Sequence, residues 1–87
     1  METRVAVMGI IVSCTDSVEK LNNLLHEYRN FIIGRMGIPY REKDINVMSV
    51  AIDAPLDTIS SLCGKIGKLE GISVKCAYSN VTGNENS

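Results

Sequence analysis

The sequence predicts a single α+β domain in which two helices cover one face of a four-stranded antiparallel sheet. Strand-like and helix-like segments follow one another in the order βαββαβ, and 87 residues leave room for only one domain. With 45% apolar and 22% charged residues, the composition is typical of a globular chain and not of a disordered one. We therefore expect one folded unit over residues 1–79 and a frayed polar tail over residues 80–87.

The first strand is predicted over residues 4–12, where β-branched and other apolar side chains dominate. A helix is predicted over residues 16–30, because apolar residues recur every three or four positions after the capping sequence Asp16-Ser17-Val18-Glu19. The opposite face of this helix is polar and carries His26, the only histidine, which we expect to be solvated.

The second and third strands are predicted to form a hairpin. Residues 31–38 have strand character, although Gly34 and Gly37 weaken it and suggest a bulge. Residues 39–44 are polar and open with proline, which indicates a turn into a third strand over residues 45–52.

The second helix begins at the sequence Asp53-Ala54-Pro55 and ends near Glu70, where Gly71 stops it. A half-buried edge strand follows over residues 72–79, where apolar and polar residues alternate. A right-handed crossover follows each strand–helix pair, so the order βαββαβ has few compact solutions. We predict the ferredoxin-like sandwich, with strand order 4-1-3-2.

Both faces of the two central strands are apolar, although helices are expected to cover only one of them. About four Met, Ile or Val side chains left in water would forfeit roughly 1.5–3 kcal/mol each. We therefore predict a homo-oligomer, a dimer or a tetramer, in which another copy covers the bare face; a slightly apolar monomer surface is the alternative. The candidate interface residues are Met8, Ile10, Met48 and Val50 on the strands, and the small residues Ser60, Gly64 and Gly67 on the second helix.

The charge balance and the hydropathy exclude two classes of partner. Nine basic and ten acidic residues give a net charge of −1, so the basic surface of a stand-alone nucleic-acid-binding protein is missing. The longest apolar runs are far shorter than the roughly twenty residues that cross a bilayer, and the first residues do not open a signal peptide. We expect a cytoplasmic protein that binds neither nucleic acid nor membrane directly.

The sequence contains no recognisable catalytic or cofactor-binding motif, and we predict no enzyme activity, no cofactor and no metal. The three cysteines lack C-x-x-C spacing, which argues against a disulfide framework and a zinc or iron-sulfur motif. Cys63 and Cys76 are interpreted as small buried apolar residues. Arg35, between two glycines, is suited to bind an anionic ligand or a partner carboxylate, and a solvated strand arginine is the alternative.

The run Ile33-Gly34-Arg35-Met36-Gly37-Ile38-Pro39-Tyr40-Arg41, with Leu24-Leu25-His26-Glu27-Tyr28 before it, resembles the small iron-only hydrogenase system regulators. The resemblance extends over nearly the whole chain, from Arg4 to Lys75. This family is similar in fold to ACT domains and to the C-terminal domain of nickel-responsive repressors. The resemblance implies a homo-oligomeric, ACT-like regulatory module that senses a small effector at a subunit boundary. Any effect on transcription would pass through a partner, because the chain has no DNA-binding helical segment.

By analogy with ACT modules, the effector is expected near the loop after the first strand, with two secondary contacts on the second strand and its turn. The candidate ligand-binding residues are Ser13, Cys14, Thr15, Asp16, Arg35 and Tyr40. Two other functions stay open. One is a protein-interaction or structural module without a ligand, and the other is a small oligomeric enzyme in which His26 or Arg35 completes a site across the interface.

Overall fold

The computed structural model describes residues 2–82, which form a four-stranded antiparallel sheet with two helices packed on one face. The strands are β1 (Arg4–Val12), β2 (Ile32–Tyr40), β3 (Ile45–Ala54) and β4 (Ile72–Thr82), and the helices are α1 (Val18–Glu27) and α2 (Leu56–Gly67). The strand order β2-β3-β1-β4 is the predicted order read from the other edge. The ferredoxin-like topology is therefore confirmed.

Both helices are shorter than their periodicity suggests. Short 3-10 turns, Thr15–Ser17 and Arg29–Phe31, occupy the two ends of the segment that we predicted as one helix over residues 16–30. Ser17 precedes α1 but makes no side-chain cap, because its hydroxyl is used in a tertiary contact. Helix periodicity continues through such turns, so it does not mark where the α-helix begins or ends.

The strands are longer than expected at three places. Strand β3 continues through Asp53 and Ala54, which we predicted as the start of the second helix; both pair with β1, and α2 begins only at Leu56. Pro39 belongs to β2 and not to the turn; it is tolerated because β2 is an edge strand, where a proline costs no hydrogen bond in the ladder. The turn is reduced to residues 41–44, and Asp44 closes it with a left-handed φ of 56°. Strand β4 continues to Thr82, past the expected boundary at residue 79; the rest of the predicted tail, residues 83–87, lies outside the described residues.

The hydrophobic core lies between the sheet and the two helices. Its strand members are Ala6, Met8, Ile10, Val12, Val50, Ile52 and Ala54, and its helix members are Leu21, Leu25, Ile59, Leu62 and Ile66. This corrects the candidate interface. Met8, Ile10 and Val50 are completely buried under the helices, and Met48 packs partly buried against the same core. The sequence did not distinguish the two faces, because both are apolar.

The uncovered face of the sheet, which we call the open face, consists of the alternate residues of each strand. Val7 and Ile11 of β1 and Val47 of β3 are 44%, 39% and 38% exposed on it. The remaining open-face positions of the strands are Val5, Gly9, Gly34, Met36, Ile38, Tyr40, Ile45, Ser49, Ala51, Asp53, Ser73, Lys75 and Ala77. Neither α1 nor α2, the helices of the described residues, is long and apolar enough to span a membrane.

Candidate functional site

The structure separates the candidate ligand-binding residues into three places. Ser13 and Cys14 lie where the β1–α1 loop meets the turn between α2 and β4. Thr15 and Tyr40 share a small cavity of about 110 Å³ at the β2–β3 turn, and Asp16 is exposed beside it in the chain. Arg35 lies in a larger cleft elsewhere. The predicted residues therefore do not form one site.

The β1–α1 loop is fastened to the α2–β4 turn. The backbone N–H and the hydroxyl of Ser13 both donate to the Gly71 carbonyl, at 2.7 and 2.9 Å. The buried Ser17 hydroxyl donates to the Glu70 carbonyl at 2.6 Å. Gly71 has a φ of 71°, and a Cβ built on it would lie 2.5 Å from the Cys14 Cβ. The polar groups of Ser13 are thus used to hold the fold together.

The cavity that contains Thr15 and Tyr40 is shallow and mixed in charge, since Arg41 and Asp44 both line it. The Tyr40 hydroxyl interacts with the Glu42 carboxylate, and this hydrogen bond raises the pKa of Tyr40. A space of about 110 Å³ is smaller than the few hundred Å³ of usual ligand pockets. This cavity is therefore too small for the effector that we predicted.

A larger cleft of about 380 Å³, which we call the α1–β2 cleft, opens between helix α1 and strand β2. Its lining residues are Asn22, Leu25, His26, Arg29, Ile32 and Arg35. Asn22, Leu25 and His26 are spaced by three and four residues, which brings them to one side of α1, and Arg29 lies in the short 3-10 turn that follows the helix. Arg35 enters the cleft from strand β2. It pairs with the core residue Val50, so its side chain extends on the side of the sheet that the helices cover.

Two hydrogen bonds orient the guanidinium groups of the α1–β2 cleft. Arg35 Nη2 donates to Asn22 Oδ1 at 2.9 Å, which ties the middle of β2 to α1. Arg29 Nη1 donates to the carbonyl of His26 at 3.0 Å near the end of α1. Each guanidinium carries five N–H donors, so both keep donors for a ligand.

The electrostatic character of the α1–β2 cleft follows from its lining. Two guanidinium groups and an imidazole surround it, and no carboxylate is among its lining residues. Leu25 and Ile32 add apolar surface. Guanidinium groups bind carboxylate and phosphate oxygens through pairs of parallel hydrogen bonds, so the cleft is suited to a small anion with an apolar portion.

The sequence predicted Arg35 as an anion contact but missed its neighbours on α1 and in the 3-10 turn after it. Asn22, His26 and Arg29 were interpreted as a solvated helix face, and all three are indeed exposed. Their spacing of four and three residues was visible, but nothing in the sequence indicated that this face lies beside β2. The signal that could have found them is the spacing of Asn22, His26 and Arg29, which places an amide, an imidazole and a guanidinium on one side of the predicted helix.

The α1–β2 cleft and the open face share one residue. Arg35 also lines a depression on the open face, with Gly34, Met36, Ser49 and Ala51. This is possible because β2 is an edge strand, so its residues can be reached from both sides of the sheet. A ligand in the cleft therefore lies next to the face that is left uncovered.

Tyr28, at the end of α1, joins the two helices. Lys65 Nζ donates to the Tyr28 hydroxyl at 3.0 Å, and the Ser61 hydroxyl lies 3.5 Å from the same oxygen. The hydrogen bond to Ser61, and after it the one to Lys65, lowers the pKa of Tyr28. The hydrogen bond to Tyr28 raises the pKa of Lys65. The Lys65 ammonium lies 5.3 Å from the centroid of the Tyr28 ring and 3.0 Å from its hydroxyl oxygen. Together these distances place the ammonium at the hydroxyl end of the ring and not over its face.

Cys63 and Cys76 form a pair that the sequence did not indicate. The Cys76 thiol donates to Cys63 Sγ at 2.9 Å, between α2 and β4, and both residues are half-buried. Burial, with a contribution from Cys63, raises the pKa of Cys76 to about 12. No group of three or more metal-ligating side chains occurs within the described residues.

Comparisons with known proteins agree with this fold. Residues 4–76 match the TM1266-like family model, described as "Iron-only hydrogenase system regulator, putative". The solved structure of the uncharacterized protein TM1266 from Thermotoga maritima is similar to this chain with a TM-score of 0.84 and 30% sequence identity. The similarity covers 87% of this chain and 96% of that one. No curated protein shows significant similarity to the sequence.

A more distant structural likeness shows the fold alone. The crystal structure of a formyltetrahydrofolate deformylase from Pseudomonas putida KT2440 is similar with a TM-score of 0.64 and 12% identity, over 88% of this chain but only 29% of that one. At this identity its activity says nothing about this chain. The family match, by contrast, spans most of the domain, from the first residue of β1 into β4. The chain therefore belongs to the TM1266-like family of iron-only hydrogenase system regulators.

Proposed function

We propose that this protein is a non-catalytic regulatory module that binds a small organic anion in the α1–β2 cleft and assembles with a second copy of itself. The observation that carries the proposal is the cleft, where Arg29, Arg35 and His26 surround a space of about 380 Å³ without a carboxylate in the lining. The family description supports the regulatory role. A net charge of −1 argues that any effect on transcription passes through a partner protein and not through DNA.

The size and lining of the cleft indicate the class of the effector. A space of about 380 Å³ lies at the lower end of the range for small-molecule sites. The two guanidinium groups can bind one carboxylate or phosphate of the ligand, while Leu25 and Ile32 contact a short apolar portion of the same ligand. A small carboxylate, such as an amino acid or a dicarboxylate, or a small phosphorylated compound fits these requirements.

The open face supports self-association. A strand of nine residues is about 30 Å long, and four strands about 4.8 Å apart are about 19 Å wide, which gives a footprint of about 600 Å². This is close to the ~800 Å² that each partner buries in an interface of standard size. The centre of the face is open, because Gly9 has no side chain and a Cβ there would meet nothing within 4 Å. Two such faces can therefore approach closely.

Charge complementarity favours a second copy as the occupant of the open face. Asp53 on β3 and Lys75 on β4 lie on the two sides of Val7, which pairs with both strands. Asp53 Oδ1 is buried and has no hydrogen-bond partner within the described residues. A two-fold axis in the plane of the interface near Val7 would bring each carboxylate to the ammonium of the other copy. Such an arrangement would give the Asp53 oxygen a partner.

The effector would be coupled to assembly through Arg35. Arg35 is a lining residue of both the α1–β2 cleft, where its guanidinium lies, and the depression on the open face. An anion that binds this guanidinium would shift β2 at Arg35 and so change the surface offered to the second copy. The effector would then change the affinity between the two copies, and self-association would change the affinity for the effector by the same factor.

Thermal unfolding in the presence of small anions tests the proposed ligand class. Succinate, glutamate, inorganic phosphate and pyrophosphate are the probes, and putrescine is the cationic control. Because a ligand that binds only the folded state stabilises it, at least one anion at saturating concentration should raise Tm by several degrees. The Arg35→Gln and Arg29→Gln variants should lose most of this shift.

The matched control is Arg41→Gln, which removes an arginine from the β2–β3 turn, outside the cleft. It should keep the full shift in Tm. Equal shifts in Arg35→Gln and Arg41→Gln would mean that the anions act through general screening, and the proposed site would be wrong.

A protein-interaction module without a small ligand is the second candidate function. The apolar open face favours it, because such a face suits protein contacts whether or not the cleft is filled. The same experiment separates the two candidates. Self-association without stabilisation by any anion supports the interaction module, whereas stabilisation that depends on Arg29 and Arg35 supports the sensor.

A further inference from the structure

We propose that Cys63 and Cys76 are a redox-active dithiol that closes to an intramolecular disulfide when a hydroperoxide oxidises the protein. The two sulfurs lie 2.9 Å apart, which is shorter than an ordinary contact between sulfur atoms. They belong to different elements, since Cys63 is in α2 and Cys76 in β4. The fold therefore brings together two thiols that are 13 residues apart in the chain.

The packing of α2 against β4 keeps the two thiols in register. Ile66 on α2 is completely buried, and Val74 on β4 packs against the same core. One turn further along α2, a Cβ on Gly67 would lie 3.5 Å from Val74 Cγ1, an ordinary van der Waals distance, so α2 lies directly on β4 here. The partners need no rearrangement of the fold to meet.

The hydrogen bond between the thiols assigns a role to each. Cys76 is the donor and Cys63 the acceptor, so the proton of Cys76 is held between the two sulfurs, whereas the proton of Cys63 is not held by the pair. Since burial raises the pKa of Cys76 to about 12, Cys76 keeps its proton at neutral pH. Cys63 is then the first nucleophile, and Cys76 is the residue that resolves its oxidised form. Both are only partly buried, which leaves a path for a small oxidant.

The reaction balances in two steps. In the first, Cys63 Sγ attacks one oxygen of the hydroperoxide, the O–O bond breaks, and the products are a sulfenic acid on Cys63 and an alcohol or water that takes the thiol proton. In the second, Cys76 Sγ attacks Cys63 Sγ, the S–O bond breaks, and the hydroxyl leaves as water with the proton of Cys76. Two thiols lose two electrons, and the hydroperoxide is reduced by two electrons.

Cys14 is the internal reference for this chemistry. It lies in the β1–α1 loop beside Gly71, in a different contact from the pair. The three cysteines are all free thiols in the structure, so one of them should survive the oxidation of the other two. The site that forms would be a modification site distinct from the α1–β2 cleft, since neither Cys63 nor Cys76 is among the lining residues of the cleft.

The test is a thiol count and a peptide map of the wild-type protein after exposure to hydrogen peroxide. Under denaturing conditions, the reduced protein should react with a thiol reagent at three positions and the oxidised protein at one. Trypsin cleaves after Lys65, Lys68 and Lys75, so the peptides that contain Cys63 and Cys76 should remain joined until dithiothreitol is added. This readout needs no variant and so does not depend on the folding of one.

Two variants sharpen the result. Cys14→Ser should oxidise at the wild-type rate and lose both remaining thiols, whereas in Cys63→Ser the thiol of Cys76 should be oxidised at least about tenfold more slowly. The proposal is overturned if Cys14 forms a disulfide between two chains while Cys63 and Cys76 stay reduced, or if Cys63 goes on to the sulfinic acid without joining Cys76.

Discussion

Gly71 shows how a single residue fixes the position of the β1–α1 loop. Its left-handed φ of 71° suits glycine, and its Cα faces Cys14 so closely that no Cβ fits between them. Its carbonyl accepts two hydrogen bonds from Ser13. The sequence marked Gly71 as a helix terminator, which it is, but its contact with a loop 58 residues earlier is purely tertiary.

Replacing Gly71 with alanine should destabilise the protein by roughly 2–4 kcal/mol. The expected loss combines the strain of a positive φ with the displacement of the Cys14 Cβ, which would lie 2.5 Å from the new methyl group. Urea denaturation measures the change in the free energy of unfolding.

The double variant Cys14→Gly/Gly71→Ala is the control, because it removes the Cβ that the new methyl group meets. It should recover part of the loss relative to Cys14→Gly alone, as coupled neighbours do. A change smaller than about 0.5 kcal/mol for Gly71→Ala would show that the loop and the turn are not in this contact.

Cys76 should make stability fall at alkaline pH. Its pKa is raised to about 12 in the folded state, whereas a cysteine in an unfolded chain titrates near 8.5. Between these values the unfolded state has lost the proton that the folded state keeps. The free energy of unfolding should therefore decrease as pH rises from about 9 toward 12, by at most about 1.4 kcal/mol per pH unit from this group.

Urea titrations between pH 7 and 11, with dithiothreitol present to keep the thiols reduced, measure this slope. Cys76→Ala removes the titrating group, while Cys63 still faces that position from α2. If the free energy of unfolding falls with pH equally steeply in the wild type and in Cys76→Ala, the raised pKa of Cys76 is contradicted.

Part of the candidate site could be predicted at the residue scale. Arg35 was identified from its charge and its place in a strand, and it lines the cleft. Ser13 was named for the same site but serves the fold, because its partner Gly71 is far away in the chain. The pair of Cys63 and Cys76 was hidden for the same reason. Spacing along a chain reveals neighbours on one element, but not those across two.

At the scale of elements, helix α2 carries two glycines that the sequence analysis assigned to the candidate interface. A Cβ on Gly64 would meet nothing within 4 Å, so no part of this chain approaches it. Gly67 is closer to β4, where a Cβ would be in ordinary contact with Val74. Within one chain, neither glycine is required by a close approach of backbone.

Gly64→Ala should therefore stabilise the protein by roughly 0.5–1 kcal/mol, because alanine is the better helix former and the new methyl group has room. Thermal unfolding and the molar mass in solution are measured together. If Ser60, Gly64 and Gly67 formed an interface between copies, the variant would instead lower Tm and weaken association. A gain in Tm with an unchanged mass would place that interface elsewhere.

The type and order of the elements could be predicted, but their ends could not. Apolar spacing identified both helices and all four strands, since it reflects the face that each element buries. The end of β2 at Tyr40 and the end of β4 at Thr82 depend on pairing with neighbours. Pairing across strands overrides the local tendency of proline, asparagine or glycine to end a strand.

At the scale of the whole molecule, the topology followed from the element order, but the side of the sheet that the helices cover did not. Met8 and Val7 are both apolar neighbours in β1, and one is buried while the other is 44% exposed. Choosing between them requires a difference in polarity that the central strands lack. The open face is consequently the part of the fold that the sequence described least well.

Ile11→Lys should separate the copies if they associate through the open face. Ile11 is 39% exposed on the central strand β1 and pairs with Val47 on the other central strand, β3. A lysine at position 11 therefore places a charge in the proposed interface. Light scattering should show a wild-type mass above that of the 9.5 kDa chain, and the variant should have the mass of a single chain.

Leu56→Lys is the matched control, because Leu56 is 51% exposed at the start of α2 and lies outside the open face. Its mass should equal that of the wild type. A wild-type protein that remains a single chain at low micromolar concentration would contradict self-association through this face.

The fastening of the β1–α1 loop to the α2–β4 turn has a consequence for kinetics. The Ser13–Gly71 bond closes a segment of 58 residues, and such closure costs more chain entropy than any hairpin in the molecule. We therefore expect this contact to form after both strand–helix units have docked. A contact that forms so late slows unfolding and leaves the rate of folding almost unchanged.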